Sequence, residues 1–238
     1  MTRSTLTAAT VAALAAAALG GTASAALAVP SAHRSGPARS AGAQHLRQAQ
    51  LRVLREIEQR EVALAAVASS RGLLGLSTDD ATAVRANLAT DRAALAALAD
   101  QLPATTTAAE LLEVAGQVRS VRPANYELAV SDLRRAERMQ RRLVSARAAV
   151  SEAESLLVGL AAQGHEVGAL SDGLEAVGQA CDLATTAAAT AAELARALVA
   201  TSGREDRHSV VAALSSAGDA LEVAEEHLEV VLAGLEAS

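Results

Sequence analysis

Arg134, Arg135, Arg138, Arg141, Arg142 and Arg147 crowd into one short stretch, set among Glu127, Asp132 and Glu137. A guanidinium offers a planar fork of donors that matches carboxylate and phosphate oxygens, so grouped arginines are the residue type an anion site needs. Arg134, Arg135, Arg138, Arg141 and Arg142 are therefore a candidate anion-binding cluster for a wall polymer or phospholipid headgroups. The competing expectation is that they flank a helical seam at Met139 and Leu143 and pair with Asp219, Glu222, Glu225, Glu226 and Glu229 of the last helix. Nucleic acid fits poorly, because neither a net basic fold nor stacking aromatics accompany the cluster.

Other chemistry fails on spacing. Histidines stand at 33, 45, 165, 208 and 227, and no two share a four-residue helical step. His165-Glu166-Val167-Gly168-Ala169 begins like a zinc-protease helix, but Ala169 occupies the second ligand position. Gly168 to Gly173 has the wrong spacing for a serine elbow, and no Gly-rich phosphate loop is present. Gly164 and Gly168 form a G-x-x-x-G that reads as a turn with close packing. Without lysine the chain forms no Schiff base; without Phe or Trp, and with Tyr126 alone, it has no stacking platform. No catalytic residue, cofactor or metal site is assigned, and an enzyme is not expected.

The elements that must position these residues follow from an unusual composition. Of 238 residues, 62 are Ala and 33 Leu. The net charge of −6 is unevenly spread: residues 34–147 carry +5, residues 148–238 carry −12. Such asymmetry implies that the halves attract each other or that one recruits a charged partner. Cys181 is the only cysteine, so no internal disulfide exists and burial alone must hold the fold. Its place on a helical stripe predicts a small buried apolar side chain.

Arg3, the apolar run Leu6–Leu19 and Ala23-Ser24-Ala25 read as a secretory signal peptide over residues 1–25, cleaved after Ala25. Ala26-Leu27-Ala28 offers a second cleavage site. No cysteine for lipid attachment and no arginine pair lie near that point, and Leu235-Glu236-Ala237-Ser238 is no apolar tail, so a released mature chain is expected. Residues 26–42, with Pro30, Gly36 and Pro37, read as a disordered tail.

Beyond that point one period runs through the chain. Met139, Leu143, Ala146, Val150, Ala153, Leu157 and Leu160 alternate steps of four and three. The pattern returns after Gly164, from Val167 through Cys181 and Ala184, Ala188, Ala191 and Ala195 to Leu198. It returns again after Ser202-Gly203, from Val210 to Leu235. These are heptad seams, and the short breaks force antiparallel neighbours, so residues 123–238 should form a three-helix antiparallel bundle. Residues 43–122 should supply N-terminal helices: Ala43–Ser70 with Val53, Ile57, Leu64 and Val67 inward, then one capped by Ser77 or Thr78. Asp91 interrupts that second stripe and is expected at an edge beside Arg85 or Arg92, or against an opposing arginine. Thr105–Thr107 can cap the next helix, and Pro123 should kink or briefly break one long helix from Thr107 to Gln163.

Ser69-Ser70, Leu76-Ser77-Thr78-Asp79-Asp80, Ala89-Thr90-Asp91-Arg92 and Val118-Arg119-Ser120-Val121-Arg122-Pro123-Ala124-Asn125-Tyr126, in that order behind a signal peptide, resemble a group of uncharacterised exported Ala-rich helical proteins of GC-rich bacteria. The resemblance implies architecture and export only. The expectation is thus an all-α, elongated antiparallel helical bundle with coiled-coil-like seams. It would be a secreted structural or protein-interaction element at the cell envelope or outside the cell, whose partner is an envelope protein or a second copy. The alternative is a reversible binder of anionic lipid or cell-wall polymer through amphipathic helices and the Arg cluster.

Overall fold

The computed structural model describes residues 36–237; the expected signal peptide and the first part of the tail lie outside them. Among the described residues there is no strand. Seven helices follow in order: α1 Gly36–Ala68, α2 Arg71–Leu74, α3 Thr78–Gln101, α4 Ala108–Ser120, α5 Ala124–Ala162, α6 Gly168–Ala197 and α7 Arg204–Glu236. A single 3-10 turn, Leu102–Ala104, separates α3 from α4. None of these helices is long and apolar enough to cross a membrane.

Local chemistry sets the helix ends. The Ser77 side chain accepts from the Asp80 amide and so caps α3. Thr107 and Glu110 close a reciprocal capping box on α4, satisfying amides that the first turn leaves without helical partners. Hydrogen bonds from the amides of Thr106 and Thr107 hold the Glu110 carboxyl below its ordinary range. Gly164, at φ +89°, makes the left-handed turn between α5 and α6 that a side chain would strain.

The helices form two three-helix units, each running up, down, up. In the first, Gln50 near the middle of α1 donates to the carbonyls of Leu102 and Thr105 just past the end of α3, at 2.9 and 3.0 Å, while Leu54, one turn on, lines a cleft with Ala99. Those helices are therefore antiparallel. Arg60 of α1 donates to the carbonyl of Val121 just past α4, which sets α4 parallel to α1. In the second unit Gly173 of α6 lies so close to α7 that an added Cβ would sit 2.7 Å from Val231, while Arg142 of α5 meets Glu225 of α7. α6 thus runs back between two parallel partners. At about 1.5 Å per residue the 39-residue α5 alone extends about 58 Å, so the molecule is a rod.

The seams expected in the C-terminal half are the buried stripes. Met139, Leu143, Ala146, Ala153 and Leu157 of α5, Leu174 to Ala195 of α6 and Val210 to Val231 of α7 face one another. Val150, Leu160, Val167, Leu170 and Leu235 of the expected seams are only half-buried. Ala184, Ala188, Ala191 and Ala195 are at most 1 % exposed, so backbones approach closely where Leu would hold them apart. One apolar core fills the first unit and continues into the near part of the second, through Tyr126, Leu133, Leu198 and Leu214; a second core fills the far part.

Two expectations need correction and a third was left with two alternatives. Helix α1 starts at Gly36, so residues 36–42 continue a helix and the disordered tail does not extend to 42. Pro37 fits that first turn, because the amide a proline lacks has no intrahelical partner there. Of the two outcomes open for Pro123, the break is the one found: α4 ends at Ser120, Val121 is extended, and α5 starts beyond the proline in the other unit. The residue before a proline disfavours helix, and the freed Arg122 amide donates to the carbonyl of Ala200 at 2.9 Å. The second correction is that the partners expected for Asp91 are wrong, as described below.

Cys181 is buried at 1 % exposure, and that burial pushes its thiol above the ordinary cysteine range. The reduced native protein is accordingly expected to react with a maleimide at least tenfold more slowly than the same chain in denaturant, about the suppression that an opening free energy of 1.4 kcal/mol imposes. Equal labelling rates in the two conditions would show the α6 seam to be open.

Candidate functional site

α5 carries the arginine cluster on its outward face because its inward stripe, Leu133, Ala136, Met139 and Leu143, is committed to the core. The structure disperses the partners of these arginines. Arg142 makes a two-pronged pair with Glu225 of α7, with Nε 3.0 Å from Oε1, which is the cross-bundle pairing the sequence suggests. Arg147 goes instead to α6, where its Nη2 lies 2.6 Å from Asp182 and 3.1 Å from the Thr185 hydroxyl. Arg141 lies 3.9 Å from Glu137 on its own helix. Arg134 donates to the carbonyl of Arg71 at 3.1 Å, pinning the α1–α3 connection to α5. Glu137 holds the same connection from the other side by accepting from the Ser77 amide at 2.6 Å. Burial pushes the Asp132 carboxyl up, against the pull of Arg207 and Arg135. Among the described residues no ion pair joins Asp219, Glu222, Glu226 or Glu229 to α5.

Arg138 is different. Its helical neighbours at i−4, i−3, i+3 and i+4 are Arg134, Arg135, Arg141 and Arg142, all of its own sign. It is exposed and, among the described residues, makes no ion pair or side-chain hydrogen bond. Three surface clefts converge on it. One of about 650 Å³ separates α5 from α7, with Arg135 and Arg142 facing Asp219 and Glu222 across a floor of Met139. A second, of about 410 Å³, opens toward Val67, Ser70 and Gly72 with Glu127 and Arg134. A third, of about 620 Å³, runs along Arg141, Arg142 and Ala149 to Leu228.

A second polar constellation lies at the junction of the two units, and its residues were not singled out together in the sequence. Asp91 of α3 accepts from the Tyr126 hydroxyl at 2.6 Å and from the Ala200 amide at 2.9 Å, both on Oδ2. Its partners are neutral donors rather than Arg85, Arg92 or an opposing arginine. The phenol is fully buried, and burial together with the Asp91 bond pushes its ionisation far above the ordinary tyrosine range. The Asn125 amide donates to the carbonyls of Val199, Ala200 and Ser202. Asp80, 3 % exposed, pairs with Arg196, whose carbonyl accepts from Asn87 at 2.8 Å. Residues 198–202, linking α6 to α7, are thus held by α3 on one side and the start of α5 on the other. The legible signals were a carboxylate on an apolar stripe and a lone aromatic; their mutual distance was not.

Among the described residues no group of three or more His, Cys, Asp or Glu is placed to hold a metal. The arrangement thus presents a groove lined by guanidinium and carboxylate groups on the outside and a structural polar lock inside. No family model, curated protein or solved structure matches the chain.

Proposed function

We propose that the protein is a secreted, non-catalytic helical rod that serves as a structural or protein-interaction element at the cell envelope or outside the cell. The observation carrying this reading is the polar lock: Asp91 with Tyr126 and the Ala200 amide, and Asp80 with Arg196, join the two helical units. Buried polar groups in such a network fix one relative placement, because any other leaves donors without acceptors. A rod of fixed length supports spacing or presenting partners. The reading is tested by capturing partners of the mature chain from its own envelope fraction, beside a variant with the Arg cluster reversed to Glu. Saturable retention of one partner by both proteins supports a protein-interaction role; a mature chain that is mostly unstructured by circular dichroism overturns the preassembled rod.

A second reading, a reversible binder of anionic lipid or cell-wall polymer, is favoured by one specific observation, the exposed and unpaired Arg138 amid four other arginines.

A further inference from the structure

Resting on that second reading, we infer that the groove around Arg138 is a binding site for a narrow, phosphate-bearing chain, taken up by the closed bundle without unfolding of its helices. Like charges at i,i+3 and i,i+4 destabilise a helix by about 0.2–0.5 kcal/mol per pair. Arg138 makes four such pairs and has no acid within ion-pair reach to offset them among the described residues. Elsewhere on α5 acids offset part of the repulsion: Arg142 has Glu225, Arg147 has Asp182 and Arg141 has Glu137, while Arg135, without an ion pair among the described residues, acts on Asp132. A phosphate seated over Arg138 would relieve what remains, since Arg138 lines three adjoining clefts that leave room for it.

The surroundings select the ligand's shape. From Arg134 to Arg141 the stripe is about 10 Å long at 1.5 Å per residue. It is bordered by Glu127 toward the first unit and by Asp219 and Glu222 across the cleft. A flat anionic membrane large enough to touch the arginines would also press against these acids and against Glu226 and Glu229 of α7. A single chain lying along the third cleft meets Arg138, Arg141 and Arg142, where the one acid in the lining is the Glu225 already paired with Arg142. The occupant is therefore phosphate on a thin backbone, an inorganic polyphosphate.

The test is titration of the mature chain, residues 26–238, with a fluorescent short-chain inorganic polyphosphate at low and physiological salt, alongside vesicles of mixed phosphatidylglycerol and phosphatidylcholine. The expected result is binding of polyphosphate that weakens steeply with salt, with vesicles bound less tightly. Arg138→Gln should lower affinity about tenfold, the loss of a charge-assisted contact. Arg92→Gln, an exposed arginine on α3, should leave affinity within twofold. Thermal unfolding supplies a readout that a purely structural arginine would not give: Arg138→Gln should be as stable as the parent or slightly more so, because repulsion is removed. Three results overturn the inference: vesicles bound and polyphosphate not, equal losses at Arg138 and Arg92, or a destabilised Arg138→Gln. Absence of binding to either probe at low salt overturns the anion-binding reading itself and leaves the structural rod untouched.

Discussion

Replacing Asp91 by Ala is expected to destabilise the protein by about 3 kcal/mol, since each buried donor left without an acceptor costs about 1–3 kcal/mol and two are orphaned at once. The orphaned groups are the Tyr126 hydroxyl and the Ala200 amide, which both end on the same carboxylate oxygen. At this chain length the melting temperature should fall by roughly 6–12 °C. Asp91→Asn keeps an oxygen in place and should lose about half as much. Tyr126→Phe removes the phenolic donor, leaves Ala200 bonded, and should cost about 1 kcal/mol. Urea unfolding followed by circular dichroism measures the series. An Asp91→Ala protein within 0.5 kcal/mol of the parent would mean that the junction is held by apolar contact alone and that the polar lock is incidental.

Ala188→Leu should be the second large effect. Ala188 has no exposed surface and sits among Ala184, Ala191 and Ala195, in a seam with no space for branched side chains. Leu is as good a helix former as most residues, so propensity does not decide the outcome. Steric crowding does: overpacking a close-packed site costs about 1–3 kcal/mol, and here α6 has neighbours in both α5 and α7. The adjacent Ala189→Leu, placed on the exposed side of the same helix, should change stability by less than about 0.5 kcal/mol. Equal, small effects at the two positions would show that the seam accommodates bulk and that its alanines reflect composition only.

The alanine seam was readable from spacing, because steps of three and four continued without a break from Val167 to Leu198 and the interruptions at Gly164 and Ser202-Gly203 matched the turns. The cap at Ser77 was readable for a similar reason: the hydroxyl, the acids after it and the apolar stripe are all local. Asp91 shows where local reading stops. Its place on an apolar stripe was evident, yet its partners lie 35 and 109 residues away, brought together by the docking of one unit on the other. No nearby residue advertised them, and the arginines beside Asp91 in the chain were a false lead. Gly36 and Pro37 misled differently, because composition suggested a spacer although a helix's first turn tolerates both. For the candidate site, the arginines themselves were evident. Which of them remain unpaired was not, since Glu225, Asp182 and the Arg71 carbonyl reach them only through the bundle.

A seam lined by methyl groups has a calorimetric signature. Each alanine that leaves it on unfolding hydrates far less apolar surface than a leucine or phenylalanine would. The heat-capacity increment of this chain therefore falls below the common value of about 12–15 cal/mol/K per residue. A smaller increment flattens the dependence of folding free energy on temperature. The rod is accordingly expected to keep a nearly constant margin against both cooling and warming, which calorimetric unfolding would measure.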